Sequence, residues 1–397
     1  MTRVAALWLV WRLTNSALML GVVNFAERIP AFILAPFAGV WVDRMDRHRL
    51  LVITQVMAMF QSFGLAAVAF SHLDPQLKII LLIVLCVFQG LINAFDMPAR
   101  QAFVVEMVED KNDLGNAIAL NSSMVNLARM IGPSIAGLIV AMLGEGWCFF
   151  IDGFSYIAVI VSLLLMHITA REITTSKRAT MVELLEGWRY TAGFMPIRTI
   201  LLLLCLLSLV GMPYRVLLPA VVGNVLHGNS GTYGFLLAAT AVGALVGATM
   251  LAARRNVLGL ARQIAFTTAI FGLGLVLFAL SHSLWISLPL LIAVGFGSML
   301  VFASSNTLLQ TIVEEDKRGR VMSFYTMSGM GMVSLGGLLM GALSHRIGIE
   351  WCLIICGTCC VAGAVWFGRS LPRLRHYVRP IYREKGILPE LTVPPES

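Results

Sequence analysis

Charge is scarce in this chain of 397 residues: Asp, Glu, Lys and Arg make up only 13% of it. A soluble domain carries about 25%. A water-facing surface cannot be built from so few charges, so a lipid bilayer is the solvent to reason with. Long polar segments are also scarce. There is no phosphate-binding loop, no H-E-x-x-H zinc pair and no nucleophile elbow. No cofactor is expected, and energy has to come from a gradient, not from ATP bound by this chain. No stretch reads as a cleavable signal peptide: Met1-Thr2-Arg3 is followed by an apolar run that stops at Trp11-Arg12 without a small-residue cleavage site. The seven cysteines lie in or beside apolar runs and imply no disulfide framework.

Apolarity fills the rest: 58% of residues are hydrophobic and the mean hydropathy is +0.84. Eleven apolar runs exceed the roughly 20 residues that cross a ~30 Å hydrocarbon core. They predict span 2 at 22–42, span 3 at 49–71, span 4 at 77–104, span 5 at 114–143 and span 6 at 147–169. Span 7 follows at 197–222, span 8 at 232–253, span 9 at 259–281, span 10 at 284–312, span 11 at 320–344 and span 12 at 350–369. A first span over 4–14 is too short to cross, so it reads as truncated.

The formal charge of +8 comes from basic residues in short loops. Sixteen lie in one set of loops, with six more in the tail from Arg369 to Lys385; the alternate loops hold Arg12, Lys78 and Arg346. The positive-inside rule predicts a multi-pass protein of the cell membrane with a cytoplasmic C-terminus, and no nucleic-acid surface.

The longest polar stretch, 170–195, reads as a cytoplasmic linker. Met181, Leu184, Leu185 and Trp188 share one face of a short interfacial helix there. It divides the chain into six-helix bundles at 1–169 and 196–369, followed by a basic tail at 370–397. The halves look alike. Gly137-Leu138 answers Gly337-Leu338, Trp147-Cys148 answers Trp351-Cys352, and Gly153 answers Gly357. A two-fold repeat of six helices is the mark of a rocking-bundle transporter.

The loop after span 2 carries Gly39, Asp43, Arg44, Arg47 and Arg49. It resembles the G-x-x-x-D-R-x-x-R signature of the major facilitator superfamily. Gly39 permits close helix approach. The resemblance implies a gate, with Asp43 near the positive N-terminus of span 11, beside Lys317, Arg318 and Arg320. The arginines also read as ordinary cytoplasmic anchors. Gly132-Pro133 with Gly137 in span 5 resembles the G-P-x-x-G kink of exporters. Gln89-Gly90 in span 4 matches another family element, whose arginine is replaced by Cys86. Further runs, such as Asp96 to Phe103 and Arg318 to Met322, resemble the branch of transmembrane secretion effectors that holds the enterobactin exporter and macrolide efflux pumps. There the first helix starts some twenty residues further upstream.

The resemblance implies a monomeric, all-α membrane protein with the major facilitator fold. It implies a secondary active exporter of small amphipathic organic molecules, siderophore or drug-like, immersed in membrane lipid and driven by a proton gradient. Spans 1, 4, 7 and 10 would line its cavity, offering Gln89, Asn93 and Asn306, with Arg129 from span 5. A non-transporting facilitator-like protein is the alternative. Charges within spans are costly and point to function by default. Glu27 and Arg28, which as i, i+1 neighbours do not face each other, are read either as functional charges or as side chains snorkelling to the outer interface. Arg215, beside Tyr214, reads as an interfacial anchor. Cys352, Cys356, Cys359 and Cys360 read as small apolar packing, and no metal is expected. Gly243-x-x-x-Gly247 and Gly337-x-x-x-Gly341 read as helix-packing devices.

Overall fold

A computed structural model describes residues 1–42, 45–107, 114–166, 189–254 and 256–384. The described residues form helices and contain no strand. In the first half these are α1 (Thr2–Thr14), α2 (Ala17–Val42), α3 (Arg47–Phe70), α4 (Pro75–Glu106), α5 (Leu114–Leu143) and α6 (Glu145–Leu165). In the second they are α7 (Met195–Leu206), α8 (Tyr214–Asn224), α9 (Ser230–Ala252), α10 (Leu260–Ala279), α11 (Leu284–Ile312), α12 (Glu315–Thr326), α13 (Met332–Ile347) and α14 (Ile349–Glu384). Among the described residues ten helical segments are long and apolar enough to cross a membrane.

Local chemistry sets the ends. Asp46 caps α3 by accepting the Arg49 N–H, and Asp74 with Pro75 opens α4. Asn229 and Thr232 cap α9 reciprocally. Asn15 turns left-handed at φ 46°, which ends α1 after 13 residues.

Three expected spans differ in detail. Span 7 is not one α-helix. It is α7, a π turn at Leu207–Gly211, and α8. Pro213 has no N–H to donate, and the π bond from Met212 N–H to the Leu207 carbonyl (2.8 Å) takes up the break. Span 11 is interrupted in the same way at Met327–Gly331, between α12 and α13. Span 12 runs past residue 369, through Pro372 and Pro380, to Glu384. The apolar run ends there, but an amphipathic pattern continues it. Leu374, Val378 and Tyr382 are buried at i, i+4, i+8, while Arg373, Arg375, Arg379 and Arg383 are exposed. Of the linker, only 189–195 is described; the interfacial helix expected around Met181 to Trp188 lies outside the described residues.

The sequence repeats reappear as repeated contacts. Gly137 of α5 is pressed on α9, where a Cβ would meet Gly234 Cα at 2.8 Å. Its counterpart Gly337 of α13 is pressed on Asn24 of α2. Gly153 of α6 faces Phe63 of α3, and Gly357 of α14 faces Gly272 of α10. Cys148 and Cys352 are both fully buried, while Trp147 and Trp351 are both exposed. This is a pseudo-two-fold pair of six-helix bundles.

The halves touch through two glycine crossings, α5 on α9 and α2 on α13. Gly341 packs against Ala17 and Gly21, and Gly21 against Gly337. Both crossings lie toward the end opposite the basic loops. At the basic end Val42, Leu50, Leu51, Ala99 and Phe103 form a small apolar cluster of their own, apart from the large core that joins the halves.

Within the first half, Asp96 ties α3 to α4. It accepts from Thr54 Oγ1 (3.0 Å), Gln55 Nε2 (2.6 Å) and Arg100 Nη2 (2.8 Å). Asp96→Ala leaves buried donors unsatisfied and should cost roughly 2–4 kcal/mol. The measurement is the thermal midpoint of the detergent-solubilised protein; an unchanged midpoint would count against the hub.

Candidate functional site

Four charged side chains occupy one level of the bundle. Arg3 lies in α1, Glu27 and Arg28 in α2, and Arg215 in α8. Counted at ~1.5 Å per residue from Thr14, Ala17 and Asn224, all sit about 14–17 Å from the end opposite the basic loops. That is the middle of a ~30 Å core. Of the two readings of Glu27 and Arg28, this depth favours the functional one over snorkelling, and the interfacial placement of Arg215 is corrected. These groups point into the protein at mid-depth, where charge is most costly.

Three of the four are tied to partners. Arg3 Nη2 donates to Asn24 Oδ1 (2.5 Å), and Arg3 Nε lies 3.7 Å from Glu27 Oε2. Asn24 is fully buried. Arg215 Nε donates to the Tyr214 hydroxyl at 3.3 Å. The π turn and Pro213 precede Arg215 directly and fix where α8 begins. Arg28 makes no hydrogen bond or ion pair among the described residues, and its Nε is closed to solvent. The charges acting on it are Arg3, Glu27 and Arg215. Arg3 and Glu27 also act on Cys86 of α4 and Tyr233 of α9. Both halves thus contribute to one polar layer. Trp8 stacks on Tyr233 beside it, with ring centroids 6.1 Å apart.

The expected cavity residues fall partly into this layer. Gln89 and Asn93 of α4 are half-buried, and Gln89 Nε2 donates to Asn93 Oδ1 (3.2 Å). Gly90 beside them packs on the backbone of Glu27. Asn306 of α11 accepts from Gln310 Nε2 (3.0 Å), an i, i+4 amide pair like that of α4. It lies about 33 Å along α11 from Leu284, closer to the basic end than the charged layer. The Arg129 side chain lies outside the described residues.

Of the expected gate, Asp43 and Arg44 lie outside the described residues. Gly39 is in the last turn of α2, Arg47 opens α3, and Arg49 gives its backbone N–H to the Asp46 carboxylate (3.2 Å). Lys317 of α12 pairs with Glu314 at 2.5 Å and lies over the Tyr190 ring. Of the expected exporter kink, α5 continues through Pro133 as one helix. Gly137 carries the close crossing, whereas Gly132 has nothing within 4 Å of the place a Cβ would take. Cys356 Sγ lies 3.3 Å from Met340 Sδ, as in sulfur-rich packing. Among the described residues no three His, Cys, Asp or Glu side chains are grouped to hold a metal.

Sequence reasoning undervalued Arg215. The usable signal was an arginine two residues after a proline inside an apolar run: a broken helix at membrane depth places charge and freed backbone groups around a cavity.

Comparison with known proteins agrees with this architecture. The pattern that defines transmembrane secretion effectors matches residues 1–378. The staphyloferrin A transporter of Staphylococcus aureus is 26% identical over 91% of this chain and 90% of its own length. The multidrug efflux pump Tap of Mycolicibacterium fortuitum is 25% identical over 88% of this chain and 86% of its own. Among solved structures, a mutant form of the nucleoside transporter NupG superposes with a TM-score of 0.70 over 93% of this chain and 97% of its own, at 12% identity. The family and these relatives are transporters, not enzymes. With its two pseudo-symmetric bundles in the membrane, this chain is a transporter of the major facilitator superfamily and belongs to its transmembrane secretion effector family.

Proposed function

We propose that this transporter is a secondary active exporter that moves small amphipathic organic molecules across the cell membrane by alternating access. A proton gradient drives it, and it works as a monomer surrounded by lipid, with the basic end in the cytoplasm. The observation that carries the reading is the polar layer at mid-depth between two halves whose backbone-to-backbone glycine crossings, among the described residues, lie toward the end opposite the basic loops. A rocking pair of bundles needs such a layer as its binding level and such crossings as surfaces that can part. The siderophore and multidrug relatives support export and the substrate class. Gln89, Asn93, Arg129 and Asn306 line the path toward the basic end in this reading.

The test is uptake by everted vesicles of amphipathic dyes of either charge, with and without an uncoupler. Uptake above empty vesicles, abolished by the uncoupler, is the expected result. No uptake over control would end the export reading, and uptake indifferent to the uncoupler would end the proton coupling.

Gating at the basic end is proposed to rest on Gly39, Asp43, Arg44, Arg47 and Arg49. Asp43→Asn removes the charge that would hold the loop to the positive start of α12. Transport should fall about ten-fold, as loss of ~1.4 kcal/mol of gate closure implies, with membrane insertion intact. Wild-type rates in that variant would remove Asp43 from the gate.

A further inference from the structure

We infer that Arg28 and Arg215, one from each half, form with Arg3 a binding site for a small organic anion carrying two or more carboxylates. This names the substrate class of the transport path proposed above and rests on that reading.

The argument starts from charge. Among the described residues the layer holds three arginines and one acid, Glu27. Three positive charges against one negative leave two uncompensated at mid-membrane. Such a surplus is expensive in a medium with little water, and it persists where a ligand or a water-filled cavity compensates it. Glu27 is engaged by Arg3, and the second donor of that pairing goes to Asn24. Arg28 has no acceptor, although its Nε is shut off from solvent while the residue as a whole keeps accessible surface. Arg215 has only the neutral Tyr214 hydroxyl, at 3.3 Å, and also keeps accessible surface deep in the bundle. An arginine fork satisfies its donors best with a planar carboxylate bound by two parallel hydrogen bonds. Two forks, one on each half, would be bridged by one molecule with two carboxylates. On the Arg3 and Glu27 side of the layer the packing is apolar and aromatic, with Trp8 stacked on Tyr233 and Cys86 close by, which suits a carbon skeleton better than a bare inorganic ion. Because Arg28 belongs to α2 and Arg215 to α8, a bridging anion also senses the relative position of the halves.

The experiment measures the thermal midpoint of the full-length protein in detergent during titration with tricarballylate, glutarate, butyrate, the triethyl ester of tricarballylate and inorganic phosphate. Saturable stabilisation is expected from tricarballylate and glutarate, more weakly from butyrate, and not from the ester. Phosphate as effective as glutarate would overturn the carboxylate assignment. Equal stabilisation by acid and ester would overturn the site, as would none by any acid. Arg28→Gln and Arg215→Gln should each weaken tricarballylate at least ten-fold, and Glu27→Gln should leave it bound as tightly or more so. Should a Gln variant fail to fold, Arg28→Lys and Arg215→Lys keep the charge without the fork, and an intermediate loss is expected. Variants that bind like the wild type would overturn the inference. Vesicle uptake of neutral or cationic dyes without anion binding would sink this inference and leave the export reading standing. Anion binding without any vesicle transport would do the reverse.

Discussion

Gly137→Leu should reduce transport to below a tenth of the wild-type rate while the protein still inserts and folds. At this crossing α5 and α9 touch backbone to backbone. A Cβ on Gly137 would stand 2.7 Å from the Ser230 carbonyl oxygen and 2.8 Å from Gly234 Cα. A leucine there cannot be absorbed by rotating a flexible neighbour, because the neighbours are main chain. Overpacking of this kind costs about 1–3 kcal/mol. The strain exists only when the two halves are closed at this end and is relieved when they part. The wedge therefore acts on the equilibrium between the two states and shifts it by roughly ten- to a hundred-fold. Gly341→Leu, at the matching crossing of α13 on Ala17 and Gly21, should act in the same direction. The measurement is vesicle transport, combined with maleimide labelling of Asn24→Cys in a background without the native cysteines. Labelling should shift toward the end opposite the basic loops. Full transport by a folded Gly137→Leu protein would show that this crossing does not open.

Gly243→Leu and Gly295→Leu should prevent the second half from assembling at all. These glycines sit where α9 crosses α11. A Cβ on Gly243 would overlap the Ile292 carbonyl oxygen, and one on Gly295 would overlap that of Thr240. Both contacts lie within one half, so rocking of the halves gives no relief. Even Gly243→Ala should cost about 1–3 kcal/mol, and leucine considerably more. The readout is the monodisperse fraction on size-exclusion chromatography after mild heating. The leucine variants should leave almost none. A Gly295→Leu protein as stable as the wild type would mean that the two helices are further apart than described.

Much of this architecture is written in the chain. Scarce charge and long apolar runs gave the spans. The matched Gly-Leu and Trp-Cys pairs turned into matched crossings because each bundle must solve the same packing problem. The Gly-x-x-x-Gly pairs were legible for the same reason: small residues at helical spacing have few other uses in lipid. The π turns were not legible, because a π bond changes the ladder by one residue without changing hydropathy. The end of α14 was missed because averaging over a window hides an amphipathic helix once arginines enter it. The site was half legible. Gln89 and Asn93 show as polar residues in an apolar span. That Arg3, Glu27, Arg28 and Arg215 share one depth, however, depends on how four segments far apart in sequence are brought side by side. Neighbours in the chain, such as Glu27 and Arg28, say little about it.

Helix α14 has 36 residues and is about 54 Å long, against a ~30 Å hydrocarbon core. The surplus runs on past the core at the basic end and stays packed on the protein through Leu374, Val378 and Tyr382. It rests on the start of α7, where Phe194 meets Tyr377 edge-on. A probe fixed near Arg383 therefore follows the second bundle as a whole, and its distance to a probe on the α2–α3 loop becomes a gauge of how wide that end is open.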